Sequence, residues 1–307
     1  MSENKVIIVA GPTASGKSKL AIDIALSVHG VVVNADSMQV YKDMPVISAV
    51  PTTEDKEKVD HRLYEIFAPS FRGNVVDWLK LAVQEIRNIW KEGKIPIVVG
   101  GTGLYIENLM KGTTPIPATP DDIRQKVQKM IDEQGLAFVH QKLKEVDPKS
   151  GEKIAPNDIT RTKRAYEVFL HTGEPMSVWQ KKPLIQNLPE AKFYVIKICP
   201  SAEELDELVY KRFDKMVEEG ALEEVQKLYQ RKLDLRLPAM KALGVPELIE
   251  YFKGKTNIYT AVQNAKLHTR QYAKRQRTWF KNRLKADFEL KKCYKGDFPQ
   301  EVLELIQ

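Results

Sequence analysis

The sequence predicts an α/β protein: a P-loop NTPase-like core with a parallel sheet flanked by helices, plus an inserted all-helical domain. Three observations carry that expectation. Gly11–Ser18 spell G-x-x-x-x-G-K-S between a strand-like apolar run and an amphipathic helical pattern. Strand-like and helical patterns then alternate up to about residue 110. A proline-rich break, "TTPIPATPDD", opens a stretch of helical periodicity that lasts until the strand-like "KFYVIKI" at 192–198. The expected division is residues 1–115 with 192–307 for the core and 116–191 for the insertion.

Taken in order, Val6–Val9 is the first strand, and a helix follows from near Lys17 to about Val28. Val31–Asn34, Leu63–Phe67 and Ile95–Val99 read as further strands, with a helix over 75–91 before the last of them. In a parallel sheet of this kind the working loops sit at the carboxyl ends of the strands. Helices are expected in the insertion over 122–133, 137–146 and 159–171, the last stopped by "TGEP". After 192–198, Ser201 with Glu204 reads as a capping box, and helical pattern continues to about Tyr251.

A final helix over 256–285 would be about 45 Å long. Ile258, Val262, Ala265, Tyr272, Trp279 and Phe280 fall on one face of it, and Lys266, Arg270, Lys274, Arg277 and Lys281 on the other. No acidic residue interrupts the stretch from Lys266 to Lys285. The aromatic residues read as core. The basic stripe is either a solvated face or a phosphate-contacting one.

Composition narrows the class. The chain has 307 residues, 43% of them hydrophobic, and a net charge of +7 that suits an acidic partner such as nucleic acid. No apolar run approaches the roughly 20 residues of a membrane span, and Val6–Ala10 is too short for a secretory signal. Cys199 and Cys293 form neither a disulfide framework nor a zinc pattern, so a reducing, cytoplasmic setting is expected. His29, His61, His140, His171 and His268 lack metal-ligand spacing, and a monomer is the default expectation.

In the loop Gly11, Pro12, Thr13, Ala14, Ser15, Gly16, Lys17 and Ser18, backbone N–H groups converge on an anion. Lys17 adds a point charge and the Ser18 hydroxyl is a ligand for Mg²⁺. An enzyme that turns over a nucleoside γ-phosphate usually ends a later strand in a carboxylate that helps to hold the metal. Here "IPIVVGGTG" ends in Gly100, Gly101, Thr102 and Gly103. The carboxylate on offer is Asp36, directly after the second strand, where it suits a general base or a magnesium partner through water. The competing reading is that Asp36 and Ser37 merely cap a turn.

The segments "GPTASGKS", "ADSMQVYK", "DHRLYEI", "VVGGTGLYIENL", "NDITRTKRAYEVF", "RFDKMVEEG" and "RQYAKRQRTWFKNRL", in this order, resemble the tRNA dimethylallyltransferases over about residues 5–285. The resemblance implies transfer of a dimethylallyl group from dimethylallyl diphosphate to N6 of adenosine 37 in the tRNA anticodon stem-loop, with Mg²⁺. It implies a catalytic set of Asp36, Thr102, Lys17 and Arg212, with Asp36 as the base and Arg212 at the diphosphate. It also implies tRNA contacts from Asp36, Ser37, Met38, Gln39, Thr102, Arg124, Thr160, Arg161, Thr162, Lys163, Arg164, Lys241 and Gly244. An adenine within a stem-loop has to leave its stack to be reached, so the site should read a flipped base. His61 matches a family position whose role is equally compatible with structure or chemistry.

The chain departs from the family pattern in two places. Where the family runs glycine, threonine, alanine, lysine, this chain has Ile47, Ser48, Ala49 and Val50. Near Lys241 it keeps Gly244 but continues with Val245 and Pro246. The rival functions are a P-loop small-molecule kinase, a prenyltransferase acting on a free adenine nucleotide, and a nucleotide-switched RNA binder. The missing carboxylate after Val99 disfavours the first, and the basic segments disfavour the second.

Overall fold

The computed structural model describes residues 3–306. In chain order the elements are β1 (Lys5–Ala10), α1 (Lys17–Val28), β2 (Gly30–Asn34), α2 (Pro45–Ser48), α3 (Thr53–Lys58), β3 (His61–Arg62), α4 (Val75–Lys91), β4 (Ile95–Gly100) and α5 (Gly103–Lys111). There follow α6 (Asp121–Gln134), α7 (Leu136–Val146), α8 (Pro148–Lys153), α9 (Ile159–Thr172), α10 (Met176–Trp179), β5 (Lys192–Ile198), α11 (Ala202–Glu218) and α12 (Ala221–Gln230). A short 3₁₀ turn, Ala239–Lys241, leads to α13 (Val245–Phe252), α14 (Ile258–Arg283), β6 (Phe288–Leu290) and α15 (Gln300–Ile306). Lys111–Asn187 form one compact unit, and the rest of the described chain forms the other.

The larger unit is built on a six-stranded sheet in the order β3-β2-β4-β1-β5-β6, with every pairing parallel. Parallel strands need helical crossovers and so are buried on both faces, which explains the unbroken apolar runs of β1 and β4. Val9 pairs with Val99 and Asn34 with Val99 from the other side, so β2, β4 and β1 end together. Their three carboxyl ends carry Asp36, the Gly101–Gly103 turn and the P-loop on one rim.

Trp78 of α4 is fully buried and its indole donates to the Asn34 carbonyl at 2.8 Å, fixing the end of β2 from below. In β5, buried Lys197 donates to the Leu284 carbonyl at 2.9 Å and pairs with Glu289 at 2.5 Å. A cation there meets the unsatisfied carbonyl end of α14.

In the smaller unit, α6, α7 and α9 enclose Val127, Val139, Leu143, Ala165 and Val168. Asp147 is its polar joint: Oδ1 accepts from Ser150 N, and Oδ2 accepts from Ser150 Oγ at 2.6 Å and Ser177 N at 2.9 Å.

Four expectations are corrected. Leu63–Phe67 is not a strand; Leu63 and Glu65 adopt positive φ (66° and 52°), which ends extended pairing after His61 and Arg62. Short α8 is an extra helix, started by Asp147 as cap and Pro148 at its first position. The Ser201 cap is only half a box: its side chain accepts from Glu204 N, while the Glu204 carboxylate accepts from Cys293 N. Finally, β6 and α15 extend the sheet unit beyond the last expected helix. No helix of the described residues is long and apolar enough to cross a membrane.

Candidate active site

The P-loop is shaped by its own polar atoms. Ser15 is buried and its hydroxyl donates to the Pro12 carbonyl at 2.8 Å, closing the turn. Gly16 caps α1 at φ 86°, and a β-carbon there would lie 2.1 Å from the Tyr294 carbonyl, so only glycine fits. The first turn of α1 holds no acidic residue, which leaves its N-terminal dipole open to an anion. Ser18 is exposed, and the Lys17 ammonium lies 3.4 Å from the Pro12 carbonyl.

Asp36 stands beside this loop. Its Oδ1 accepts from Met38 N at 2.9 Å, so it does cap a turn; its Oδ2 has no hydrogen-bond partner among the described residues. Thr102 holds that turn from β4, its Oγ1 accepting from Ser37 N at 2.9 Å and donating to Ser37 Oγ at 3.2 Å. Arg212 reaches in from α11 and donates to Thr13 Oγ1 at 3.2 Å.

These side chains act on one another electrostatically. Burial depresses the Lys17 ammonium to about 8; Asp36 opposes that depression and Arg212 adds to it. Burial also lowers Arg212, again against the pull of Asp36. One carboxylate is thus shared by two cations that the protein has desolvated.

A cleft of about 300 Å³ opens on this group. Thr13, Ala14, Asp36, Ser37, Met38, Arg212 and Lys241 line it, together with Tyr272 and Arg275 of α14. Lys17 adjoins it through Asp36 and Arg212, and Thr102 through Ser37. Tyr272 therefore departs from the core role expected of it; burial, and then Asp36, raise its phenol. Trp279 and Phe280 do pack into the core.

Gln39 does not line the cleft, because its amide nitrogen donates to the Ser48 and Ala49 carbonyls. Gly244 caps α13 at φ 91°, with Pro246 near the helix start where its missing N–H costs nothing. His61 is held by structure: its Nδ1 lies 2.7 Å from the Val59 carbonyl, its ring packs on Tyr64, and burial lowers its pKa.

In the smaller unit Thr160 and Arg161 are exposed, with Arg161 paired to Asp158 at 2.7 Å. Arg164 donates to Thr119 Oγ1, Lys163 to Gln128 Oε1, and Arg124 lies 3.6 Å from Asp121. Thr162 is fully buried with its hydroxyl unpaired among the described residues, which corrects the expectation that it meets RNA. The basic stripe of α14 is also thinner than its sequence implies. Lys266 pairs with Asp214 at 2.5 Å and Arg270 with Asp206 at 2.6 Å, both from α11.

Sequence reasoning missed Arg275, which lines the cleft, and Gln276 one position further on. Gln276 of α14 is buried; its Oε1 accepts from Thr13 N and its Nε2 donates to the Gly101 carbonyl, each at 2.9 Å. The available signal was a polar residue one turn beyond Tyr272 on the apolar face.

For a divalent cation the loop offers the Ser18 hydroxyl and the Asp36 carboxylate. No cluster of three His, Cys, Asp or Glu side chains occurs among the described residues. Hard oxygen donors without a closed cage suit Mg²⁺, which keeps waters and takes substrate phosphates as ligands.

A P-loop whose carboxylate follows β2, on the far side of β4 from the P-loop strand, and whose arginine comes from a later helix, defines a P-loop group-transfer enzyme. The family model described as IPP transferase matches residues 39–283. The chain belongs to that family.

A tRNA dimethylallyltransferase of Zymomonas mobilis is 41% identical over 280 residues, 91% of this chain and 88% of that one. One of Rhodospirillum centenum is 42% identical over 281 residues, 92% and 90% respectively. Among solved structures, the tRNA isopentenylpyrophosphate transferase of Bacillus halodurans matches with a TM-score of 0.70 and 31% identity, covering 98% of this chain and 94% of that one. A eukaryotic dimethylallyltransferase acting on tRNA matches with a TM-score of 0.75 and 30% identity, covering 91% and 70%.

Proposed function

We propose that the protein transfers the dimethylallyl group of dimethylallyl diphosphate to N6 of adenosine 37 in tRNA, releasing diphosphate. The observation that carries this reading is the single carboxylate, Asp36, facing one cleft with Arg212 and the P-loop residue Thr13.

In the reaction N6 attacks the allylic carbon, the carbon–oxygen bond to the diphosphate breaks, and the N6 proton passes to Asp36. The exocyclic amine is a weak nucleophile, so a positioned base helps as its proton leaves. Charge grows on the departing diphosphate, where Lys17, Arg212 and the loop amides stabilise it. Ser18 would hold Mg²⁺, which would supply further neutralisation of the leaving oxygens. Thr102 acts by fixing the Asp36–Ser37 turn.

Arg124, Thr160, Arg161, Lys163 and Arg164 supply contacts to the anticodon stem-loop, with Lys241 at the cleft for the acceptor. A soluble, cytoplasmic monomer fits this role.

The test is to incubate the protein and Mg²⁺ with labelled dimethylallyl diphosphate, and in parallel with ATP, offering either unmodified tRNA or AMP. Label in tRNA is the expected result. ATP turnover without prenyl transfer, or label in AMP alone, overturns it.

A further inference from the structure

The P-loop is backed by a segment from far along the chain. Residues 291–296 lie between β6 and α15, beyond the motifs that carry the family resemblance. Both ends of this strap are anchored. Leu290 pairs with Ile198 of β5, and Val302 and Ile306 of α15 share a buried cluster with Leu20 and Ile24 of α1. Between the anchors the strap lies directly on the loop. Tyr294 N donates to the Ser15 carbonyl at 2.9 Å, and the Tyr294 carbonyl is what excludes a β-carbon from Gly16.

That backbone bond also orients the anion side of the loop. The Ser15 carbonyl and the Gly16 N–H belong to one planar trans peptide unit, on which the two groups point opposite ways. With the carbonyl turned outward to the strap, the Gly16 N–H is turned inward. A donor fixed in this way needs no reorientation when charge develops in front of it.

Side chains hold the strap in place. Tyr294 is 5% exposed, and its hydroxyl donates to Asp23 Oδ2 of α1 at 2.5 Å. Lys19, also of α1, donates to the Lys295 carbonyl at 2.7 Å. On the other flank Cys293 N donates at 3.1 Å to the carboxylate of Glu204, a residue of α11, the helix that brings Arg212 to Thr13. Buried Cys293 packs in one cluster with Ala14 of the loop and Val209 of α11. The strap therefore touches both sources of diphosphate contacts, the loop and the arginine helix.

We propose that Tyr294 is a positioning residue for the diphosphate: anchored to Asp23 by its hydroxyl, it aims the Gly16 amide at the leaving group and holds the loop and α11 together. This rests on the P-loop being the site of an allylic diphosphate.

The experiment titrates inorganic pyrophosphate and dimethylallyl diphosphate, each with Mg²⁺, into the wild type, Tyr294→Phe, Tyr294→Ala and Asp23→Ala by calorimetry below the melting temperature of each, with donor and tRNA KM values measured alongside. Tyr294→Ala should weaken both ligands by the same factor, about tenfold, the scale of one hydrogen bond to a charged group, with the tRNA KM little changed. Tyr294→Phe keeps the ring and loses only the hydroxyl, so it should weaken both ligands less. Asp23→Ala removes the same bond from the other side and should match it. These two variants carry the test if the alanine variant of Tyr294 does not fold. Unchanged pyrophosphate affinity in the Tyr294 variants that fold, even with earlier melting, or donor and tRNA KM values that rise equally, overturns the proposal. A wild type that binds pyrophosphate but not dimethylallyl diphosphate, or binds neither, overturns the allylic-diphosphate reading instead.

Discussion

The side-chain amide of Gln276 and the backbone amide of Thr13 meet at 2.9 Å, and the same side chain donates to the Gly101 carbonyl at 2.9 Å. One residue of α14 therefore ties the P-loop to the turn after β4. Through Thr102 and Ser37 that turn continues to Asp36, so diphosphate loop and base share one brace.

Replacing Gln276 by alanine leaves a loop N–H and a turn carbonyl without partners, each costing about 1–3 kcal/mol. The expected outcome is a lower melting temperature and a donor KM that rises more than the tRNA KM. Gln276→Glu keeps the acceptor for Thr13 and should recover part of the donor affinity. Equal effects on both KM values would remove Gln276 from this positioning role.

Lys17 makes a prediction in pH. Its pKa is about 8 in the folded chain, below the roughly 10.4 of an unfolded lysine. Between those values the unfolded state holds more protons, so this residue's contribution to stability improves as pH rises through that window. Below about 8 the charged, desolvated ammonium is a net cost that function requires. Lys17→Met should therefore melt no lower than the wild type at pH 7, and should lose the stability gain between about pH 8 and 10, while abolishing donor binding. In the wild type, donor affinity should weaken as pH passes about 8. Melting curves and donor titrations across pH check both, and a large destabilisation at pH 7 would contradict them.

Asp36→Asn preserves the oxygen that accepts from Met38 N and so keeps the turn, but it cannot take a proton. Loss of a general base costs about 10²–10⁴ in rate. Single-turnover transfer should fall by that order with tRNA affinity little changed. Because Asp36 also counters the depression of Lys17, donor binding in this variant should weaken at a lower pH than in the wild type. A variant that transfers at the wild-type rate would end the assignment of Asp36 as base.

What was legible in the sequence follows from which forces are local. The β1, β2, β4 and β5 runs and α4 announce themselves because sheet burial and a single apolar face impose period and composition directly on the chain. The P-loop is legible because backbone amides can surround phosphate in few ways. Leu63–Phe67 misled because its apolar residues pack without extended backbone: Leu63 is buried at φ 66°. Phe288–Leu290 adds only three residues to an existing edge, too few to carry a period. Gln276 left only a faint signal, a polar residue on the apolar face of α14, because its partners are backbone atoms at Thr13 and Gly101, which leave no side-chain pattern. Thr162, which the resemblance places among the RNA contacts, is turned inward between Arg161 and Lys163 by helical rotation.

The same rotation, and the neighbouring helix, decide which cations of α14 can meet RNA. Lys266 and Arg270 are engaged by Asp214 and Asp206. Lys274 and Lys281 are exposed and have no ion pair among the described residues. Each phosphate neutralised by a cation adds about 0.7–0.9 to the slope of log affinity against log salt. Lys274→Ala and Lys281→Ala should each weaken tRNA binding at low salt and flatten that slope by roughly this amount, if the stripe follows the RNA backbone. Arg270→Ala should leave the slope where it is, because its charge is already spoken for by Asp206, and should instead lower the melting temperature slightly, as loss of an exposed pair does. Binding measured across a range of KCl concentrations distinguishes the two. A flattened slope in Arg270→Ala, or an unchanged one in both lysine variants, would move the phosphate contacts off this helix and onto the smaller unit.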